Sequence, residues 1–415
     1  MSDQLFSSKT DPIPQLRRDL QVIPIQQNGN SYLYFQDQRG FATPDFALNR
    51  QVGTLLSLID GSKSISDLKP YLGNDVSTDQ LLEFIQLLDK NQILSSKHFK
   101  QHARQTEESY EQSTLHQSVT AGSSYPEKPD ELRSFLAEAF DKHPHSEEIQ
   151  NAKALYAPHI DPRVALDSYV KAFAPIRNLK PKRVVILATS HYAGLYPNHY
   201  QNSPFILVNK DFDLPLGTIR RDQKALEALA EKEEIGLSTH DRAHRVEHSI
   251  ELHLLFLSYL WDHQFSIVPI LVRGLDDLYY MEEGHLGQQL GNFSSVLRTH
   301  FGDDDETFFL ISGDLAHFGK KFGDEKPAST MFENVKYFDK QFLECGSGNK
   351  RKQMLSLIKQ DMDPYRICGF PPLYTFLHSM PDLKGNVLGY DLWDERERES
   401  AVTFGSILYS MKNSK

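Results

Sequence analysis

The chain has 415 residues, with 45 Lys+Arg against 56 Asp+Glu, a formal net charge of −11 and a pI near 5.9. That length predicts two or three domains, and the acidic balance argues against a nucleic acid or an anionic membrane as the principal partner. No run approaches the ~18 apolar residues of a membrane span, the first residues lack the pattern of a secretory leader, and the two cysteines, Cys345 and Cys368, exclude a disulfide scaffold and fit a reducing, cytoplasmic setting. Seventeen histidines are many for this length and direct attention to metal or acid–base chemistry.

In chain order, residues 11–95 read as one small domain. LQVIPI, the turn Gln27-Asn28-Gly29-Asn30 and the alternating run SYLYFQD predict a β-hairpin. From Asn49 the period becomes helical, with Val52, Leu55, Leu56 and Ile59 on one face and a stop at Asp60-Gly61. A second helix is predicted over 64–72, with Ser64 as N-cap and Asp67 at N3. A third is predicted over 78–90, with Leu81, Leu82, Ile85, Leu88 and Leu87 facing inward.

A hairpin followed by three short amphipathic helices is a winged-helix arrangement. LLSLIDGSKSISDL followed by LLEFIQLLDKNQIL resembles the PqqD-like winged-helix domains that recognise peptides. The resemblance implies a peptide or protein partner docking on residues 11–95, by addition of a strand to the wing. A plain helical packing module fits the same residues. DNA is a poor partner, because residues 1–100 carry ten basic and eleven acidic side chains.

Residues 97–118 are polar and read as a linker or solvated helix outside any core. The domain boundaries are thus 1–96, 97–118 and 119–415. In the last segment VVILAT (184–189), FSIVPILV (265–272) and FFLISGD (308–314) are buried-strand runs. Helical stretches near 131–140, 222–232, 249–260 and 286–299 alternate with them. This predicts an α/β fold with a central, mostly parallel sheet flanked by helices. GxGxxG and GxxxxGK[ST] are both absent, so nucleotide binding has no support.

Ligands in open α/β sheets gather past the carboxyl ends of strands. Four such places carry chemistry: Pro158-His159, Ser190-His191, Asp314 with His317, and Cys368-Gly369. Imidazole and thiolate suit iron, copper or zinc and are poor donors for magnesium or calcium. Read alone, each residue has a second explanation. A histidine after a strand can be a hydrogen-bonded loop residue, Cys368 a small buried hydrophobe, and Asp314 and His317 the cap and first turn of a helix.

From about 119 to 409 the chain resembles the Memo family, including the AmmeMemoRadiSam system protein B members. The matching strings are TAGSSYP, YAPHID, ILATSHY, EHSIELHLLFL, ISGDLAHFG, ICGFPPL and SAVTFGSILY. Memo proteins share their fold with class III extradiol ring-cleavage dioxygenases. The resemblance implies a mononuclear metal held by His159, His191 and Cys368, most simply Fe(II), with Cu or Zn as alternatives. It also implies His317 as the acid–base histidine and Asp314 as a partner that fixes a ligand tautomer. Radical-SAM and AMMECR1-like companion proteins are implied in the same way.

The thiolate departs from the two-His-one-carboxylate triad of the dioxygenases, and Ile160-Asp161-Pro162 makes the loop after His159 stiffer and more acidic than the family's. His248 and Glu251 are placed on one helical face, with His248 lining the cleft and Glu251 orienting a ligand, while His253 is structural. The function expected is an iron-dependent oxidoreductase acting on a small phenolic or enolic substrate. A metal-binding scaffold and a zinc-dependent hydrolase are the alternatives.

Overall fold

Residues 4–72, 76–143, 149 and 151–411 are described by the computed structural model and divide into two units, Met1–Gln112 and Ser113–Lys415. In the first unit, strands β1 (Leu20–Gln27), β2 (Asn30–Asp37) and β3 (Ala47–Asn49) form an antiparallel sheet in that order. Asn28 and Gly29 both take positive φ, 51° and 77°, as a tight two-residue hairpin turn requires. Helices α1 (Gly53–Leu58), α2 (Ile65–Leu68) and α3 (Thr78–Lys90) follow. Ser64 and Asp67 close a reciprocal capping box on α2, and Ser77 and Gln80 close one on α3. Leu81, Ile85 and Leu88 are buried against Leu56, Ile59 and Ile65, whereas Leu87 is 43% exposed and not part of that core.

The segment expected to be a linker or solvated helix outside any core is a helix that packs into one. Residues 97–112 form helix α4 (Lys97–Gln112), whose Phe99 and Ala103 are buried with Phe41 in the first unit. Its polarity misled because one of its charges and one of its rings are used by residues far earlier in the chain. Glu107 pairs with Arg39 at 2.7 Å, and the buried Arg17, forked onto Asp19 and Asp37, sits 4.2 Å over the Phe99 ring.

The second unit opens with β4 (Leu115–Gln117) and α5 (Pro129–Asp141), then β5 (Ala152–Ala157), α6 (Pro162–Phe173) and β6 (Arg183–Thr189). Next come the short α7 (Pro197–Tyr200), β7 (Phe205–Leu207), β8 (Asp211–Leu214), β9 (Gly217–Arg221), α8 (Gln223–Ala230) and β10 (Leu237–Ser238). The chain continues through α9 (Glu251–Leu260), β11 (Ser266–Val272), α10 (Asp277–Tyr280), α11 (His285–Leu297), β12 (Thr307–Ser312) and β13 (His317–Gly319). It ends with α12 (Phe332–Ser347), α13 (Arg351–Lys359), α14 (Phe370–Ser379) and the long hairpin β14 (Leu383–Glu395) and β15 (Ser400–Met411).

These strands make one twelve-stranded mixed sheet whose path runs β13-β15-β5-β12-β6-β11-β9-β8-β4. Its centre, from β5 to β9, is parallel, and β15 joins β5 antiparallel. Alternation of period two divides each central strand between two cores. Val185 and Leu187 of β6 face one side, and Val184, Ile186 and Ala188 face the other. With both faces covered by helices, continuous apolar strands are what this position demands. No helix among the described residues is long and apolar enough to cross a membrane.

Candidate metal centre

Three neighbouring parallel strands, β5, β12 and β6, end together. Ser312, the last residue of β12, is in register with Ala157 of β5 and Ala188 of β6. The residues just beyond those ends are His159, Asp314 and His191, so three distant stretches of chain deliver donors to one sheet edge. Cys368 arrives on the loop before α14. Its approach depends on two glycines in backbone contact: a Cβ on Gly313 would lie 2.1 Å from the Cα of Gly369. The Gly369 N–H donates to the Asp314 carbonyl at 2.9 Å, and Cys368 Sγ stands 3.3 Å from His159 Nε2.

Hydrogen bonds set the tautomers. Ser312 Oγ donates to the Ser249 carbonyl at 2.6 Å, so it accepts from His159 Nδ1, 3.0 Å away. His191 Nδ1 donates to Glu247 Oε1 at 2.8 Å, and its backbone N–H donates to Glu247 Oε2 at 2.8 Å. His317 Nδ1 lies between two carbonyls, Leu315 and Arg366, at 3.2 and 3.1 Å, and can only donate to them. All three imidazoles therefore carry a proton on Nδ1; neutral His159 and His317 keep the Nε2 lone pair free, and His191, whose charged form Glu247 favours, offers its Nε2 once the second proton leaves, as metal ligation or proton acceptance requires.

Burial sets the charges. It drives the His159 imidazolium well below its ordinary range, with His191 adding to the effect. Burial also opposes charge on His191, but Glu247 and the Cys368 thiol outweigh it and leave this imidazole well above its usual value. Glu247, fully buried, would be raised by its surroundings, yet His191 holds it down to about 2. Asp314 is pushed up to about 7 by burial, despite accepting from the His159 and Ile160 N–H groups. Burial raises the Cys368 thiol as well.

A family model described as "Memo-like protein" matches residues 116–408. The chain belongs to the Memo-like family. It is 26% identical over 401 residues to a MEMO1 family protein of Aquifex aeolicus (strain VF5), covering 95% of this chain and all of that one. It is 29% identical over 289 residues to a MEMO1 family protein of Thermus thermophilus, covering 69% of this chain and 80% of the relative. A protein memo-1 homolog of Caenorhabditis elegans is 27% identical over 236 residues, covering 56% and 62%.

Within this Memo-like unit the donors fall into two groups that share His159, one with Asp314 and Cys368 and one with His191 and His248, and His317 is in electrostatic reach of His159. Three of the expected roles change. Asp314 does not fix a tautomer: Ser312 does that for His159, and the Asp314 Oδ2 lies 3.7 Å from His159 Nε2, on the donor side. His248 shares no helical face with Glu251, because α9 begins at Glu251 and His248 precedes it. Glu251 orients no ligand. Its carboxylate accepts from the Val119 and Thr120 N–H groups and from the Thr120 and Tyr125 hydroxyls, which fastens residues 119–125 to α9.

His253 is buried against Tyr169 and Phe173, and burial lowers its pKa to about 3, as a neutral interior imidazole. Asp161 caps α6 through the Arg163 N–H and pairs with the Arg163 and Ser124 side chains. His317 starts a short strand rather than a helical turn. The residues that sequence reasoning missed are Glu247, Ser249 and Ser312. Glu247 lay inside the EHSIE string, where its neighbours drew the attention. The serines carry no chemical signature and are recognisable only by contact.

Proposed function

We propose that the Memo-like unit is a metal-dependent oxidoreductase of the extradiol-dioxygenase type, acting on a small phenolic or enolic substrate. The observation that supports it is the shared orientation: imidazoles from separate loops are each tied at Nδ1, which turns Nε2 away from the tie, and the His159 Nε2 stands beside a cysteine sulfur. His159, His191 and Cys368 would hold the ion, with Fe(II) first and Cu or Zn as alternatives. The donor set fits, since imidazoles fixed from behind and a nearby thiol are borderline-to-soft ligands. The bound ion would supply the redox or O2 chemistry.

The chain's own residues do the rest. Glu247 aims His191 and balances charge on its ring, and Ser312, braced by the Ser249 carbonyl, aims His159. His317, lowered to about 4 by burial, is neutral at pH 7 and presents an Nε2 that accepts the proton of a substrate hydroxyl. The Phe322 ring, 5.3 Å from that of His317, limits how the imidazole can tilt.

The test is elemental analysis of anaerobically purified protein, followed by O2 consumption with catechols. One iron per chain and substrate-dependent uptake are expected. Zinc alone with esterase or amidase turnover would favour the hydrolase, and iron-loaded protein that never consumes O2 would favour the scaffold. For the first unit we propose a peptide partner added at an edge of its three-stranded sheet, where Val22 of β1 is 44% exposed. Val22→Asp should abolish capture of such a peptide.

A further inference from the structure

Two groups of donors meet at His159. One is His159, Asp314 and Cys368; the other is His159, His191 and His248; within each, the donor atoms all lie within 4.8 Å of one another. The ligand set implied by the family resemblance draws on both groups and leaves His248 out.

The surroundings of His248 argue for including it. It lies ahead of α9, beside Glu247. Glu247 Oε1 is 2.8 Å from His191 Nδ1 and 3.5 Å from His248 Nδ1, and it also accepts the His248 backbone N–H at 3.1 Å. The His191 and His248 rings are within 11° of parallel, with centroids 5.1 Å apart, so one carboxylate leaves both Nε2 atoms on the side away from itself. The His159 ring stands across both, at 75° and 78°, with centroids 4.9 and 5.5 Å away. A buried carboxylate behind an imidazole is the arrangement that orients metal ligands. Here the carboxylate is hydrogen-bonded to His191 Nδ1 and lies 3.5 Å from His248 Nδ1.

We infer that His248 is a further metal ligand, forming with His159 and His191 a three-imidazole face that keeps a divalent transition ion bound when the Cys368 sulfur is not coordinated. The inference rests on the metal reading proposed above. It matters chemically because a thiolate is lost to oxidation far more readily than an imidazole. A site with both faces retains its ion through that loss, and the ion passes to a harder donor set.

The test uses the full chain and Co(II) as probe under anaerobic conditions. Wild type should bind one equivalent, with a sulfur-to-metal charge-transfer band. Cys368→Ala should lose that band, keep the equivalent and show intense visible bands of a nitrogen-rich site. Adding His248→Ala to Cys368→Ala should then weaken binding at least about tenfold. Equal affinity of the double and single variants would overturn the inference, as would complete loss of Co(II) from Cys368→Ala while wild type binds. If wild type takes up no ion at all, the metal reading fails and the inference falls with it. X-ray absorption of ion-loaded wild type needs no variant to fold. After peroxide oxidation of the thiol, three imidazoles around a retained ion are expected, and two or fewer would refute the assignment.

Discussion

A Cβ placed on Gly313 would stand 2.1 Å from the Cα of Gly369, so the loop that follows β12 and the loop that carries Cys368 touch backbone to backbone. Any side chain at 313 must push the two apart. Because Cys368 Sγ is 3.3 Å from His159 Nε2 across that junction, Gly313→Ala should separate sulfur from imidazole. The expected outcome is metal affinity lowered by ten-fold or more and loss of the thiolate charge-transfer band. Gly291, on α11 with open space around its Cα, is the control. Gly291→Ala should leave the band intact and add about 0.5–1 kcal/mol of stability.

Glu247 and Glu251 are both fully buried and four residues apart, yet they should behave differently. Glu247→Gln weakens the hold on His191 Nδ1 and should cost about 10–100-fold in metal affinity with little change in Tm. Glu251→Ala strips the acceptor from Val119, Thr120 and Tyr125 and should destabilise the fold by roughly 3 kcal/mol. The folded fraction of Glu251→Ala should still bind its ion. Isothermal titration beside thermal melts separates the two effects.

Substitution of His317 should separate catalysis from metal content. Its Nδ1 is held by two carbonyls, and its Nε2 is the proton acceptor proposed for substrate. His317→Gln should retain full metal stoichiometry while turnover falls by about 10²–10⁴-fold. Loss of the ion in this variant would instead make His317 a ligand.

Away from the centre, Asp339 of α12 is fully buried and accepts from the Tyr390 hydroxyl at 3.0 Å. Burial pushes its carboxyl up to about 7, against the pull of Thr403 and Tyr390. Between the unfolded value of 3.8 and about 7 the folded chain holds a proton that the unfolded chain has released. Stability contributed by this group therefore falls as pH rises through that window. Asp339→Asn should remove the fall. Its melting curve should match wild type near pH 4 and show a gain on the order of a few kcal/mol at pH 8.

Legibility in the sequence followed the kind of force involved. Strands β6, β11 and β12 were readable because burial on both faces demands unbroken apolar runs, and α3 because Leu81, Ile85 and Leu88 recur on one helical face. The packing of α4 was not readable: Arg17, which sits over Phe99, and Arg39, which pairs with Glu107, lie far earlier in the chain. The centre divided in the same manner. His159, His191 and Asp314 announce themselves by residue type just past strand ends, while His317 opens the short β13 and Cys368, expected past a strand, follows α13 and precedes α14. The assignment of Glu247 to His191, of Ser312 to His159 and of Glu251 to residues 119–125 is a matter of three-dimensional pairing, which spacing along the chain does not encode.

The sulfur beside His159 comes from 209 residues farther along the chain, and it reaches that imidazole only through a loop seated on the end of β12. No local segment can therefore capture an ion as a zinc finger does and fold around it. β5, β6 and β12 must be paired before the imidazoles stand together, and α14 docked before the sulfur joins them. For the ion proposed above, this order makes folding come first and loading second, so that occupancy would read out finished sheet assembly rather than cause it.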